Sequence, residues 1–468
     1  MSSRAAIAGV SAALCMAPAA HAAVTISTAA TSNMSCVSGV CTPTAADAVL
    51  NVGDLESMLA SGNVKLAAAS EPVDVDVAAS LSWVSTNTLT LDSYHAINVQ
   101  QPVAVNGGGG LALITNDGGT GGQFAFLPGA NVAFLNGAGS LTINGTAYRL
   151  VTDIATLASD IAANPSGSYA LAGNYNAAPD GTYGDAPITT RYTGSFQGLG
   201  NTIFNLSIAS GVKGANLGLF ATIGLGANVA DLTLQNAAVT DTGPRPGSIV
   251  GGLAAINEGT VFGVHVSGKI SGVATSGGLI GANAGSLSFS SASGTVIGTR
   301  NVGGLTGNTI AALIDQCFAD ASASGSGHGL FIGGLIGYND TATITNSYAT
   351  GTVNGEKKAR VGGLIGDSQA ATVSASYAAG AVKGKSGSEV GGFLGAITLE
   401  GTYSHAYWDK TTSGTDSAAG NSKSVTGIRG LSDARLKASL PAGFDPTIWA
   451  ESPSINNGLP YLINNPPQ

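Results

Sequence analysis

A pair of glycines followed by an apolar residue returns along this chain at near-constant intervals. The pair begins at Gly251, Gly277, Gly303, Gly333, Gly362 and Gly391, in steps of 26, 26, 30, 29 and 29 residues, with a weaker copy, LGLF, at Leu217–Phe220. A fixed period of this size means an array of like units, each packed mainly on its neighbours. Aligning the copies on SYATGTV exposes their columns. The Ile344 position holds Val261, Leu287, Ile314, Val373 and Tyr403. The Ser347 position holds Val264, Ser290, Cys317, Ser376 and Ala406, and the Ala349 position holds Val266, Ala292, Ala319, Ala378 and Trp408. Columns that stay apolar or small through successive copies face inward, where neighbouring units leave little room.

Each copy carries only short runs rich in Val, Ile, Thr and Tyr, too short for helices. The expected fold is therefore all-β: a parallel β-helix, or β-solenoid, with a few short capping or joint helices. Three short strands per turn would each pair with their equivalents one coil away, at about 4.8 Å. The glycines would sit at the corners and take the backbone conformations a sharp bend demands. Between Val73 and Ile143 the runs alternate with period two (NTLTL, AINV, PVAV, LALI) and imply further solenoid coils. Helices are expected at GDLESMLASGN, where Leu55, Met58 and Leu59 share a face and Gly62 is the C-cap. Two more are expected, at DIATLASDIAAN and at SDARLKASL with Ser432 as N-cap.

Composition narrows the function. Only 10% of residues are charged and the net charge is −9, a poor balance for nucleic acid, which needs a basic face. The N-terminus, with Arg4, an apolar run and Ala20-His21-Ala22, reads as a signal peptide over residues 1–22, cut between Ala22 and Ala23. The mature chain is expected to be exported, to the outer cell surface, the medium or the periplasm. In such a compartment Cys36 and Cys41 can close a small disulfide loop, the alternative being two free thiols. Cys317 reads as a small buried member of the Ser347 column.

The stretch VGGLIG…ITNSYATGTVNG resembles the GLUG repeat of secreted bacterial proteins, many related to filamentous haemagglutinin. YTGSFQGLGNTIFNLSI, Tyr192 to Ile208, is similar to the lead-in found before such repeats. AYWDKTTSG, GFDPTIWA and NNGLPYL are similar to their closing segment. Residues 73–148 resemble the solenoid of exoproteins exported by two-partner secretion. The organisation expected is a signal peptide at 1–22, an N-terminal arm and cap at 23–72, and a haemagglutinin-like solenoid at 73–148. A joint helix and lead-in coils follow at 149–246, GLUG coils at 247–408 and a closing segment at 409–468. The resemblance implies an adhesin, with glycans or a neighbouring cell surface as partner and an outer-membrane transporter for export. The rivals are a polysaccharide lyase or hydrolase on the same scaffold, and a passive matrix protein.

Candidate chemistry is sparse. AGAVKGKS, Ala379–Ser386, fits a loose phosphate-loop pattern, but it aligns on TGTVNG of the neighbouring copy and lacks the strand-loop-helix setting, so no nucleotide is expected. His95, His265, His328 and His405 are scattered, without ligand spacing, so no metal, cofactor or catalytic residue is assigned. Asp315 and Asp320 do not recur in the aligned copies, and Asp74 and Asp76 read as one face of an exposed edge. The charged run EKKAR, Glu356–Arg360, reads as a solvated turn. One column is distinctive. Phe318, Tyr348, Tyr377 and Tyr407 occupy the same position in four consecutive copies, with Ser291 and His265 before them, an aromatic ladder whose face the pattern leaves open.

Overall fold

The computed structural model describes residues 22–68, 73–244, 247–327 and 330–467. About half of it is strand, wound into a β-solenoid of about 12 turns with four short helices. The expected parallel β-helix is the fold. The residues before Ala22, expected as a signal peptide, and His328 lie outside the described residues, while Ala22 and Ala23 open strand Ala22–Ser27.

The first stack has three parallel sheets. Ala22–Ser27, Val73–Val77, Ile97–Val99 and Phe124–Phe126 form one. Leu81–Trp83, Val103–Val105 and Val132–Phe134 form the second. Val64–Ala68, Thr88–Ser93, Gly110–Ile114 and Ser140–Ile143 run through the third. Period-two alternation buries Val73, Val75 and Val77 together. Residues 23–72, expected as an arm and cap, thus also supply strands. Within them α1, Val52–Ser61, buries Leu55 and Leu59, and the Asn51 side chain caps it by accepting from the Gly53 and Asp54 N–H groups. Cys36 and Cys41 face each other across a hairpin and are joined as a disulfide.

Ser140–Ile143 turns back on Thr146–Val151, which opens the second stack by pairing with Ser168–Leu171. Beside it α2, Ile154–Ala163, starts at the Asp153 cap and buries Ile154, Leu157 and Ile161. The two stacks are tied by Asn201, fully buried, whose amide donates to the carbonyls of Val132, Leu171 and Gly198 and accepts from Asn131. The Val132 N–H also donates to Leu199, across the same joint.

In the second stack the register is the one the columns imply. Leu287, Ile314, Ile344, Val373 and Tyr403 pair in sequence, as do Ala292, Ala319, Ala349, Ala378 and Trp408. Two sheets of seven strands carry the other faces, one through Phe331–Gly333 and one through Ile336–Asp340.

The glycine pairs sit at corners, as expected: Gly334 and Leu335 bend the chain between strands Phe331–Gly333 and Ile336–Asp340, though without the left-handed backbone a corner can demand. Neither Gly333 nor Gly334 has a positive φ. A Cβ on Gly334 would stand 2.1 Å from the Gly363 carbonyl and 2.9 Å from the Ala349 Cβ. Gly304 and Gly363 meet their neighbours the same way. These positions are glycine because the coils touch there, and the alanine column opposite stays small for the same reason. A further bend lies at a left-handed residue between the Ile344 and Ser347 columns. Asp231, Gly263, Phe289, Gln316, Asn346, Ala375 and His405 all take φ between 45° and 59° there.

That bend explains the small polar column. The left-handed residue interrupts the ladder, and Ser347 Oγ fills the gap: it accepts the Cys317 N–H of the preceding coil at 3.2 Å and donates to the Thr345 carbonyl at 2.7 Å. Ser376 does the same for Ser347, and Ser290 for Val264. Cys317 substitutes a thiol, fully buried, which donates to the Asp315 carbonyl and whose proton affinity burial pushes up.

The closing segment first extends the stack by one strand, Ile428–Leu431, which pairs in parallel with Thr402–Asp409. After α3, Lys410–Ser413, and strand Ile428–Leu431 comes α4, Asp433–Leu436, shorter than expected, with Ser432 at its N-cap position but making no side-chain cap bond. From there the chain folds back along the outside of the solenoid. Tyr377 donates its hydroxyl to the Pro460 carbonyl, and the Asn465 amide donates to the carbonyls of Gln316 and Ser290.

Candidate functional site

The left-handed column turns its side chains away from the coil, so it and the aromatic column beside it form one outward stripe up the second stack. The closing segment covers the upper half. Phe318, Tyr348 and Tyr377 stack at 5.0 Å with planes within 5°, Tyr407 packs edge-on against Phe444, and all four rings are buried. The ladder is thus outside the solenoid core yet inside the protein. Trp449 lies against it and donates from Nε1 toward Asn346 at 3.4 Å.

The lower half of the stripe is not covered in this way. There Asp231, Phe289 and Gln316 face the first stack across a cleft of about 330 Å³, which the tail residues Ile463–Pro466 close at one end. Beside the cleft the turn at residues 126–130 of the first stack lies against the coil carrying Gly200, where a Cβ would meet the Ala130 carbonyl at 2.4 Å.

The cleft is aromatic, amide-rich and nearly uncharged. Phe262 and Phe289, both half-buried, lie 5.0 Å apart at a 52° tilt. Among its described lining residues there is no Lys or Arg and one carboxyl, Asp231. Asp231 is buried, and burial holds its carboxyl well above the usual carboxylate range, only partly offset by a hydrogen bond from Gln197. His265 Nδ1 lies 2.9 Å from Ser291 Oγ, and burial pushes the imidazole down to about 4, so it is neutral at pH 7. Two buried amide oxygens on the lining, Gln316 Oε1 and Asn465 Oδ1, have no protein donor. Two-carboxylate glycoside hydrolysis needs a second acid across the scissile bond. Asp231 has no such partner among the described lining residues.

The other candidates resolve into structure. Asp74 and Asp76 lie on a central strand, not an exposed edge: Asp74 is buried and sits 2.8 Å from His95 Nδ1, and Asp76 accepts from Asn98. Burial first, then the Asp74 charge, raises the Asp76 pKa. Asp315 accepts from Thr345 and Asn346 of the next coil. AGAVKGKS contains strand Val382–Gly384 and leads into Glu389–Gly391, with Lys385 paired to Glu356. EKKAR is more than a solvated turn. Arg360 bridges the buried Asp367 and Glu389 and sits over the Phe331 ring. Among the described residues no group of three or more His, Cys, Asp or Glu could hold a metal ion. No described helix is long and apolar enough to cross a membrane.

Comparison with known proteins matches residues 332–354 to the GLUG motif, one coil of the second stack. A stretch of 84 residues, 18% of this chain, is 43% identical to halomucin of Haloquadratum walsbyi, and the chain spans 1% of that protein's length. Among solved structures it is similar to a Bacteroides ovatus protein provisionally assigned as an immunoglobulin A1 protease. Identity there is 16%, over 68% of this chain and 93% of that one, with a TM-score of 0.44. A likeness that loose bears on neither activity nor substrate. The GLUG repeat read in the sequence is thus present as such.

Proposed function

We propose that this chain is an exported, haemagglutinin-like adhesin, displayed at the cell surface or released, that attaches through a repetitive solenoid. The observation that carries the reading is the bonded joint at Asn201, which makes two stacks of coils hold one another in place. A rigid repetitive body presents outward side chains at coil spacing, so weak contacts to a partner surface add by multivalency. The signal peptide at residues 1–22 and the likeness of residues 73–148 to two-partner exoproteins support export, with an outer-membrane transporter as the partner for that step. Glycans or proteins of a neighbouring cell are the partners for attachment.

The test is protease treatment of intact native cells, with an antibody to this chain and a periplasmic protein as internal marker. Digestion of the chain while the marker survives, or recovery of the chain in the medium, supports the adhesin. Protection together with the marker overturns it.

A further inference from the structure

The cleft between the stacks has the chemistry of a ligand site that the adhesive reading does not by itself supply. Its walls are pre-formed. Asp231, Phe289 and Gln316 project from the left-handed column, and Asn465 is fixed beside them by its bonds to the Ser290 and Gln316 carbonyls. At about 330 Å³ it lies at the small end of the roughly 300–1,000 Å³ typical of ligand pockets. Exposed Leu127 and Ile463 stand on its lining, so it is reached from solvent.

The groups select a ligand class. With no Lys or Arg among its described lining residues, the cleft offers an anion no guanidinium or ammonium partner. With one buried carboxyl whose surroundings disfavour charge, it holds a cation poorly. Half-buried side-chain amides on the lining, Asn98 and Gln100, suit a ligand with O–H or N–H groups. The tilted phenyl pair calls for an apolar face about one ring wide. Several hydroxyl donors around a C–H face describe a sugar ring. We infer that the junction cleft binds a neutral saccharide, which lays one face on Phe262 and Phe289 and exchanges hydrogen bonds with the Asn98 and Gln100 amides of the facing wall. The inference rests on the adhesin reading for its biological sense, but the site would bind in a purified chain wherever that chain resides.

The experiment is saturation-transfer NMR on the purified chain with cellotetraose, maltotetraose, chitotriose and a mannose trisaccharide, with a heparin tetrasaccharide as the charged control. At least one neutral probe is expected to bind, and Phe289→Ala to weaken it about tenfold with an unchanged thermal midpoint. Gln100→Ala should weaken the same probe and serves as the second variant where Phe289→Ala lowers the midpoint. Silence from all four neutral probes, binding of heparin alone, or affinity unaltered in both variants overturns the inference. Saccharide binding by a chain that proves protease-protected in cells would sink the adhesin and keep the cleft. Surface exposure with silent probes would do the reverse.

Discussion

Tyr348 and Tyr377 stack face to face on the outside of the solenoid, centroids 5.0 Å apart and planes 3° from parallel, and Trp449 leans on both at 5.9 Å. Left open, this ladder would be a contiguous apolar patch, the kind that recruits partners or aggregates. The closing segment makes it an internal core instead.

Truncating the keystone should release that segment. Trp449 is fully buried among Tyr348, Tyr377 and Phe444, and Trp449→Ala is expected to cost about 3–5 kcal/mol. The loss should be local. Limited proteolysis should begin cutting within residues 440–467 while the coils keep their far-ultraviolet circular dichroism. Uniform loss of both signals would mean that the tail and the coils unfold as one unit.

The serine column gives a second expectation. Ser347→Val removes the acceptor of the buried Cys317 N–H and should destabilise by about 1–3 kcal/mol. Cys317→Ser restores the residue its own column prefers and should change stability by less than about 1.5 kcal/mol. Urea midpoints for the two variants check the contrast, and equal losses would refute the gap-filling role.

A third concerns the glycines. Gly334→Ala puts a methyl 2.1 Å from a carbonyl oxygen of the next coil and should cost about 3 kcal/mol or more, because backbone must move. Gly62→Ala, at the extended C-cap of α1 with nothing within 4 Å, should be neutral or gain a few tenths of a kcal/mol. If both alanines are tolerated alike, the coils are looser than the packing implies.

These contrasts also mark how far the sequence could be read. Column alignment gave the fold and the register of the second stack, because inward positions such as Ile344 and Ala349 repeat the same local constraint in every coil. It placed the glycine pairs at corners but missed why they must be glycine, because that constraint comes from Gly363 and Ala349, whose atoms no local pattern records. The left-handed bend was hidden because Asp231, Phe289, Asn346 and Ala375 share a backbone conformation and no side-chain chemistry. Four aromatics were visible as a ladder, but their burial depends on Trp449, about a hundred residues later. The cleft was the least legible, since it is assembled from residues near 95–130, 231–316 and 463–466. Its one available signal was Asp231, the one acid in that corner column.

Asp231 and His265 pull stability in opposite directions with pH, and variants should separate them. Burial raises the Asp231 pKa above its ordinary 3.8, so the folded chain holds this proton more tightly than the unfolded one. Its contribution is fully present below that ordinary value and is lost as pH rises through the folded one. Burial lowers His265 from 6.5 to about 4, so the unfolded chain takes up this proton first. Stability is then lost as pH falls from about 6.5 toward 4. Asp231→Asn keeps the shape and removes the ionisation. It should raise stability at pH 7.5 by about 1–3 kcal/mol and bring little gain at pH 4. His265→Gln should flatten the acid loss between pH 6.5 and 4 instead. Urea unfolding of wild type and both variants at pH 4, 5.5 and 7.5 reads the two slopes. Asp231→Asn proving less stable than wild type at pH 7.5 would mean that the carboxylate is ionised and partnered in the folded chain, and the neutral character of the cleft would fall with it.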